Sequence, residues 1–127
     1  MGELAKRLDT AERAFQTLRE SLDAPYNAIV RDSCLLRFSY TFDCCWKLLK
    51  NLLEDRYGMI CNSPKTCIRE AFQNHLLGEN ETELWLAMVN DRNQIVHSYV
   101  EAIAQSIYSQ LPRYGEKMES LLRIIHT

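Results

Sequence analysis

The sequence predicts an all-α protein: an antiparallel four-helix bundle with one additional short helix. Three observations carry that prediction. Apolar residues recur at spacings of three and four through long segments, the period of a helix with one buried stripe. Short clusters rich in Pro, Gly, Asn, Asp and Ser separate the segments, and short connections make neighbouring helices antiparallel. No stretch of useful length alternates with the period of a strand, and no internal repeat or low-complexity segment is present. With 127 residues, 46% of them hydrophobic, the chain has apolar material for a single core, so residues 1–127 are expected to form one domain.

The first helix is expected from Glu3 to Leu22. Leu4, Leu8, Ala11, Phe15, Leu18 and Leu22 form its stripe, and Lys6, Arg7, Glu12, Arg13, Arg19 and Glu20 its solvated side. Pro25 blocks continuation through the turn 23–27, and Asn27 is a suitable cap for the next helix. The second helix is expected from Ala28 to Arg56, closed at Tyr57-Gly58. Leu35, Phe38, Phe42, Cys45, Leu49 and Leu52 make its main stripe. Leu36, Tyr40, Trp46, Leu48 and Leu53 widen it, which implies neighbours on more than one side. Asp43 and Lys47, four apart with the acid first, have the spacing of an ion pair on one face, and either is free to point at a site instead.

Ser63-Pro64 is a helix start, with serine as cap and proline at the first helical position. The third helix is expected from Pro64 to about Leu77, stopped by Gly78, with Ile68, Ala71, Phe72 and Leu76 buried. The fourth is expected from about Thr82 to Ile95, anchored by Leu84, Trp85, Met88 and Val89. The fifth runs from Tyr99 to about Ile125 on the stripe Ile103, Ile107, Leu111, Tyr114, Met118, Leu121 and Ile125. Pro112 interrupts its hydrogen bonding, but the apolar phase continues across it, so a kink is expected and not an end.

Charge and composition exclude several function classes. A formal net charge of −2 argues against a protein devoted to non-specific nucleic-acid binding, although a local basic rim of Lys47, Lys50, Arg56, Lys65 and Arg69 is compatible with it. No apolar run approaches membrane-spanning length, and the N-terminal residues lack an apolar signal core, so the expected setting is the cytoplasm, with no membrane contact. The cysteines are Cys34, Cys44, Cys45, Cys61 and Cys67. Their odd number, their mostly helical positions and the lack of a Cys-x-x-Cys pair argue against a disulfide framework and against a zinc site.

The chemistry concentrates in Asn90–Tyr99, where a polar run comes after the apolar segment 84–89. Ser98 and Glu101, three apart ahead of an apolar-periodic segment, have the form of a capping box. One helix is therefore expected to end near 94–96 and the next to begin at Ser98. On one unbroken helix Arg92 and His97 would point about 140° apart, at about 100° per residue. A break between them would turn both toward a common point. The plain alternative is a solvated helix end with a capping histidine.

Trp46-Lys47, Ser63-Pro64, Arg69-Glu70-Ala71-Phe72, Trp85, Met88, Arg92-Asn93, His97 and Tyr99, in that order, give the chain a resemblance over nearly its whole length. It resembles the HepT-like branch of the HEPN superfamily, also called nucleotidyltransferase substrate-binding proteins. The most specific element is Arg-x-x-x-x-His-x-Tyr, here Arg92, His97 and Tyr99, with Asn93 after the arginine. The resemblance implies a helical homodimer with the motif near the dimer groove, and a minimal nucleotidyltransferase as protein partner. It implies a toxin–antitoxin-like pair in which the transferase places AMP on the tyrosine, here Tyr99. It also implies the alternative of an active ribonuclease that cleaves RNA without metal or cofactor and is silenced by that AMP. Arg92, His97 and Asn93 would then be catalytic.

The residue types suit that chemistry. A histidine, with an ordinary pKa of about 6.5, can take the proton of a ribose 2′-hydroxyl near neutrality. An arginine fork can stabilise the charge gathering on a scissile phosphate. Asn93 can hold the phosphate or the imidazole. AMP on Tyr99 would add charge and bulk beside Arg92.

Overall fold

The computed structural model describes residues 2–97 and 99–126. Within them the chain forms α1 (Glu3–Asp23), α2 (Ala28–Tyr57), α3 (Pro64–Gln73), α4 (Glu79–His97) and α5 (Glu101–His126). Local chemistry sets most boundaries where the sequence put them. The Asn27 side chain accepts from the Val30 amide at 2.8 Å, fixing the start of α2. Gly58 takes φ 66° and donates its amide to the Glu54 carbonyl at 3.1 Å, and the left-handed conformation lets the chain leave the helix. The Ser63 hydroxyl accepts from the Thr66 amide at 3.3 Å, with Pro64 at the first helical position of α3.

The two largest differences from the sequence reading lie at the end of α3 and the start of α4. α3 stops at Gln73, short of Leu77. Asn74 donates its amide to the Glu70 carbonyl at 3.0 Å, and His75 takes φ 63°, a region that histidine tolerates better than most side chains. α4 begins at Glu79, one turn before Thr82. Its cap is Gly78, whose amide donates to Glu81 Oε1 at 3.1 Å and whose carbonyl accepts from the Thr82 amide at 2.9 Å. A glutamate three residues past the cap supplies one arm of a capping box even where the cap itself has no side chain.

The wide apolar coverage of α2 has a direct cause: α2 packs against all four other helices. Its stripe meets Trp85 and Met88 of α4 and the α5 series Ile107, Leu111, Tyr114, Met118, Leu121 and Ile125, all buried. Phe38 stacks on Tyr114 with ring centroids 5.5 Å apart, and Phe42 lies 6.0 Å from Trp85. α5 continues through Pro112 as one helix, as the unbroken apolar phase implied. Three apolar side chains do not follow their expected stripes: Leu36, Tyr40 and Phe72 are exposed.

The cysteines bring a correction. Cys61 and Cys67 form a disulfide, both buried, while Cys34, Cys44 and Cys45 are free. The first turn of α3 returns Cys67 to the level of the incoming loop, so the two Cα atoms lie 5.2 Å apart. Among the described residues, no helix is long and apolar enough to cross a membrane.

Candidate functional site

α4 does not break between Arg92 and His97. It runs through His97, its last residue, so both side chains leave the same helix in diverging directions. No hydrogen bond joins them among the described residues. The break comes one step later, in the link to α5. Ser98, expected as the cap of α5, lies outside the described residues. Val100 provides the first carbonyl of α5, accepting from the Ala104 amide at 2.9 Å, and the helix begins at Glu101. Tyr99 therefore precedes α5 and is not in its first turn.

Arg92 points from α4 toward α2. Its Nη2 donates to Asp43 Oδ2 at 3.0 Å, and its Nη1 donates to the amide oxygen of Asn93 at 3.2 Å. Asp43 thus serves Arg92, while no Asp43–Lys47 pair forms among the described residues. The neighbouring Asp91 turns the other way and accepts from the Tyr114 hydroxyl of α5 at 2.6 Å. Successive residues of α4 so pin it to α2 and to α5, and they fix the direction in which Arg92 faces. Burial, then the hydrogen bond to Asp91, pushes the Tyr114 hydroxyl well above the usual tyrosine range. His97 is exposed, and its side chain makes no hydrogen bond to a described residue.

A second cluster forms around Tyr99, which is 68% exposed. Its hydroxyl donates to the Glu101 carboxylate. That carboxylate also takes the guanidinium of Arg31 on α2, through Nη1 to Oε1 and through Nη2 to Oε2 at 3.2 Å. Arg31 is 1% exposed, and its Nε donates to Asp32 at 3.1 Å. The pairing with Arg31 holds the Glu101 carboxyl below the usual glutamate range, and the hydrogen bond to Glu101 raises the Tyr99 hydroxyl above that of a free phenol. Glu101 is thereby occupied by Arg31 and Tyr99 from two sides. Tyr99 also lines a small, mostly apolar pocket with Leu35, Ile95, Val100, Ile103 and Ile107.

The structure thus joins Arg92 with Asn93 and Asp43, joins Tyr99 with Glu101 and Arg31, and leaves His97 exposed at the helix end between them. Sequence reasoning missed Arg31 and the role of Glu101. Arg31 had a detectable signal: it falls four residues before Leu35 and seven before Phe38, a charge placed on an apolar stripe. Glu101 had a competing reading as a capping residue.

Comparison with known proteins agrees with this architecture. The family model described as nucleotidyltransferase substrate binding protein like matches residues 6–126. A protein of Thermus thermophilus, known from its crystal structure, is 38% identical, with a TM-score of 0.88 over 92% of this chain and 99% of that one. The Shewanella oneidensis HEPN toxin, described as tri-AMPylated and in complex with MNT antitoxin, superposes with a TM-score of 0.81 at 18% identity, over 99% of this chain and 98% of that one. A toxin–antitoxin structure with AMP-PNP gives 0.79 at 17% identity, over 98% and 99%. No curated protein sequence matches this chain. By the family match along nearly its entire length, the chain belongs to the nucleotidyltransferase substrate-binding-protein-like family.

Proposed function

We propose that this chain is the HEPN member of a toxin–antitoxin pair: a homodimer recognised by a minimal nucleotidyltransferase that transfers AMP from ATP to Tyr99. The observation that carries the reading is the Tyr99 hydroxyl, exposed on the link between α4 and α5 and held by a carboxylate. A substrate tyrosine must present its oxygen to a second protein, and a tyrosine serving only as the first core residue of α5 would not. The tri-AMPylated state of a HEPN toxin of the same fold supports this choice of chemistry. The homodimer has support in the apolar side chains left exposed on α2, at the end of α4 and on the α4–α5 link, namely Ile29, Leu36, Tyr40, Val96 and Val100. Intact-mass measurement after incubation with the cognate transferase, ATP and magnesium tests the reading. The expected result is addition of AMP to wild type and none to Tyr99→Phe. An unchanged wild-type mass, or addition that persists in the variant, overturns it.

A second reading, a metal-independent ribonuclease using Arg92, His97 and Asn93, is favoured by one feature. His97 is exposed and unengaged among the described residues, so its imidazole is available to take a proton. Arg92 and His97 diverge along one helix, so the two copies of a dimer would supply a fuller set of groups than one chain. Cleavage of cellular RNA by AMP-free protein, unaffected by chelators and abolished by both Arg92→Ala and His97→Ala, is the expected result. Cleavage that survives both substitutions refutes it.

A further inference from the structure

Tyr99, Glu101 and Arg31 form a chain of three polar groups leading from the surface into the protein. Tyr99 is exposed, Glu101 is exposed, and Arg31 is buried beneath them on α2. The order of partners is definite. The tyrosine hydroxyl donates to Glu101, Glu101 accepts from both Arg31 and Tyr99, and Arg31 is held from its other side by Asp32. A carboxylate fixed by a buried guanidinium cannot swing away from the hydroxyl without leaving that guanidinium short of a partner, which is costly in a buried position. Three long side chains are therefore set in one arrangement at an exposed site, where entropy would otherwise scatter them.

This arrangement has a chemical consequence. A neutral phenol is a poor nucleophile, and the Tyr99 hydroxyl keeps its proton at neutral pH. Transfer of a nucleotidyl group to its oxygen requires that proton to leave as the new bond forms. The group touching the hydroxyl is the Glu101 carboxylate, and Arg31 keeps it charged and ready to accept.

We propose that Glu101 is a catalytic residue of the AMP transfer, the general base that takes the proton of the Tyr99 hydroxyl, with Arg31 as its positioning residue. This rests on Tyr99 being the AMP acceptor. In the step, Tyr99 Oη attacks the α-phosphorus of ATP and an Oη–P bond forms. The bond from that phosphorus to the bridging oxygen of the β-phosphate breaks, and pyrophosphate leaves with the electron pair. The hydroxyl proton passes to Glu101 and from there to solvent. The substrate protein thus contributes a base to its own modification, and the transferase supplies the nucleotide.

Glu101→Gln tests this, because the amide can still accept the tyrosine hydrogen bond through its oxygen but cannot take up the proton. The rate of AMP addition is followed by intact mass for wild type and Glu101→Gln with the same transferase, ATP and magnesium, from pH 6.5 to about pH 9.5, with far-UV circular dichroism confirming that both are folded. The ratio of the two rates cancels the transferase's own pH dependence. At neutral pH the variant is expected to be slower by about 100-fold or more, the usual contribution of a positioned base. The ratio should shrink roughly tenfold per pH unit as phenolate forms without help. Equal rates, or a deficit that stays constant with pH, overturn the proposal and leave a purely structural carboxylate. Tyr99→Phe separates the two levels. Addition that persists in that variant, or a wild type that is never modified, removes the Tyr99 reading and this proposal together. A wild type modified at Tyr99 with Glu101→Gln equally fast removes the proposal alone.

Discussion

Arg92 of α4 donates to Asp43 of α2 at 3.0 Å, and both side chains keep about a third of their surface exposed. A partly exposed pair of this kind holds a guanidinium in position more than it stabilises the fold. Such pairs are worth roughly 0–1 kcal/mol. Asp43→Asn is therefore expected to shift the urea unfolding free energy by less than about 1 kcal/mol. If Arg92 serves RNA cleavage, the same substitution should lower the cleavage rate by about 100-fold, the order expected for a misplaced catalytic group. Unchanged cleavage in a folded Asp43→Asn variant would show that Asp43 does not orient Arg92 for the reaction.

Trp85 anchors the other side of α4. It is essentially buried, its ring lies 6.0 Å from that of Phe42, and it sits in the cluster that joins α4 to α2. Removing a buried aromatic ring costs the lost transfer energy plus the cavity, about 3–5 kcal/mol. Trp85→Ala is expected to lose that much in denaturant unfolding. A loss below about 1 kcal/mol would mean that the site had collapsed around the smaller side chain.

The hydrogen bond from Tyr114 to Asp91 predicts a specific pH dependence. Burial and Asp91 raise the folded hydroxyl above its ordinary value of about 10. Below that value both folded and unfolded chains keep the proton, and the contribution is fully present. Above it the unfolded chain loses its proton first, so stability falls as pH rises. Tyr114→Phe should cost on the order of 1.5 kcal/mol at pH 7, as for a hydrogen bond to a charged group. The gap between variant and wild type should narrow between pH 9.5 and pH 11. Parallel stability curves over that range would count against a proton held by Tyr114.

How far the sequence was legible depends on the range of the interactions involved. Five helices were readable because periodicity and caps are local: Asn27, Gly58 and Ser63 act on residues within one turn. The ends of α3 and α4 were misplaced because His75 in a left-handed conformation and Gly78 as a cap are weak local signals that tertiary packing decides. The pairs that build the site are long-range. Asp43 and Arg92 are 49 residues apart, and Arg31 and Glu101 are 70 apart. Spacing along one helix instead suggested Lys47 for Asp43 and the cap Ser98 for Glu101. The motif Arg92, His97 and Tyr99 was visible as a string of residue types, but which of them share a partner was not.

The disulfide between Cys61 and Cys67 gives a final expectation, and it concerns the region that the sequence reading placed least well. The bridge spans a separation of six residues and ties the loop after α2 to the first turn of α3. α3 is the shortest helix, and it packs on α2 and α4. A cross-link over so short a loop removes only modest freedom from the unfolded chain, on the order of 2 kcal/mol by the chain-entropy relation. The double variant Cys61→Ala, Cys67→Ala is therefore expected to remain folded, with helicity near that of wild type and an unfolding free energy lower by about 2 kcal/mol. The loss should be local as well as global. Amide exchange in residues 59–73 should quicken more than exchange in α2 or α5, because α3 depends on the bridge and on the Ser63 cap for its N-terminal anchorage. Intact mass after alkylation establishes the starting state, since a bridged pair adds no label. Labelling of all five cysteines in the denatured, unreduced protein would mean that the bridge is not formed. Equal unfolding free energies for the bridged wild type and the double variant would mean that native packing alone fixes α3.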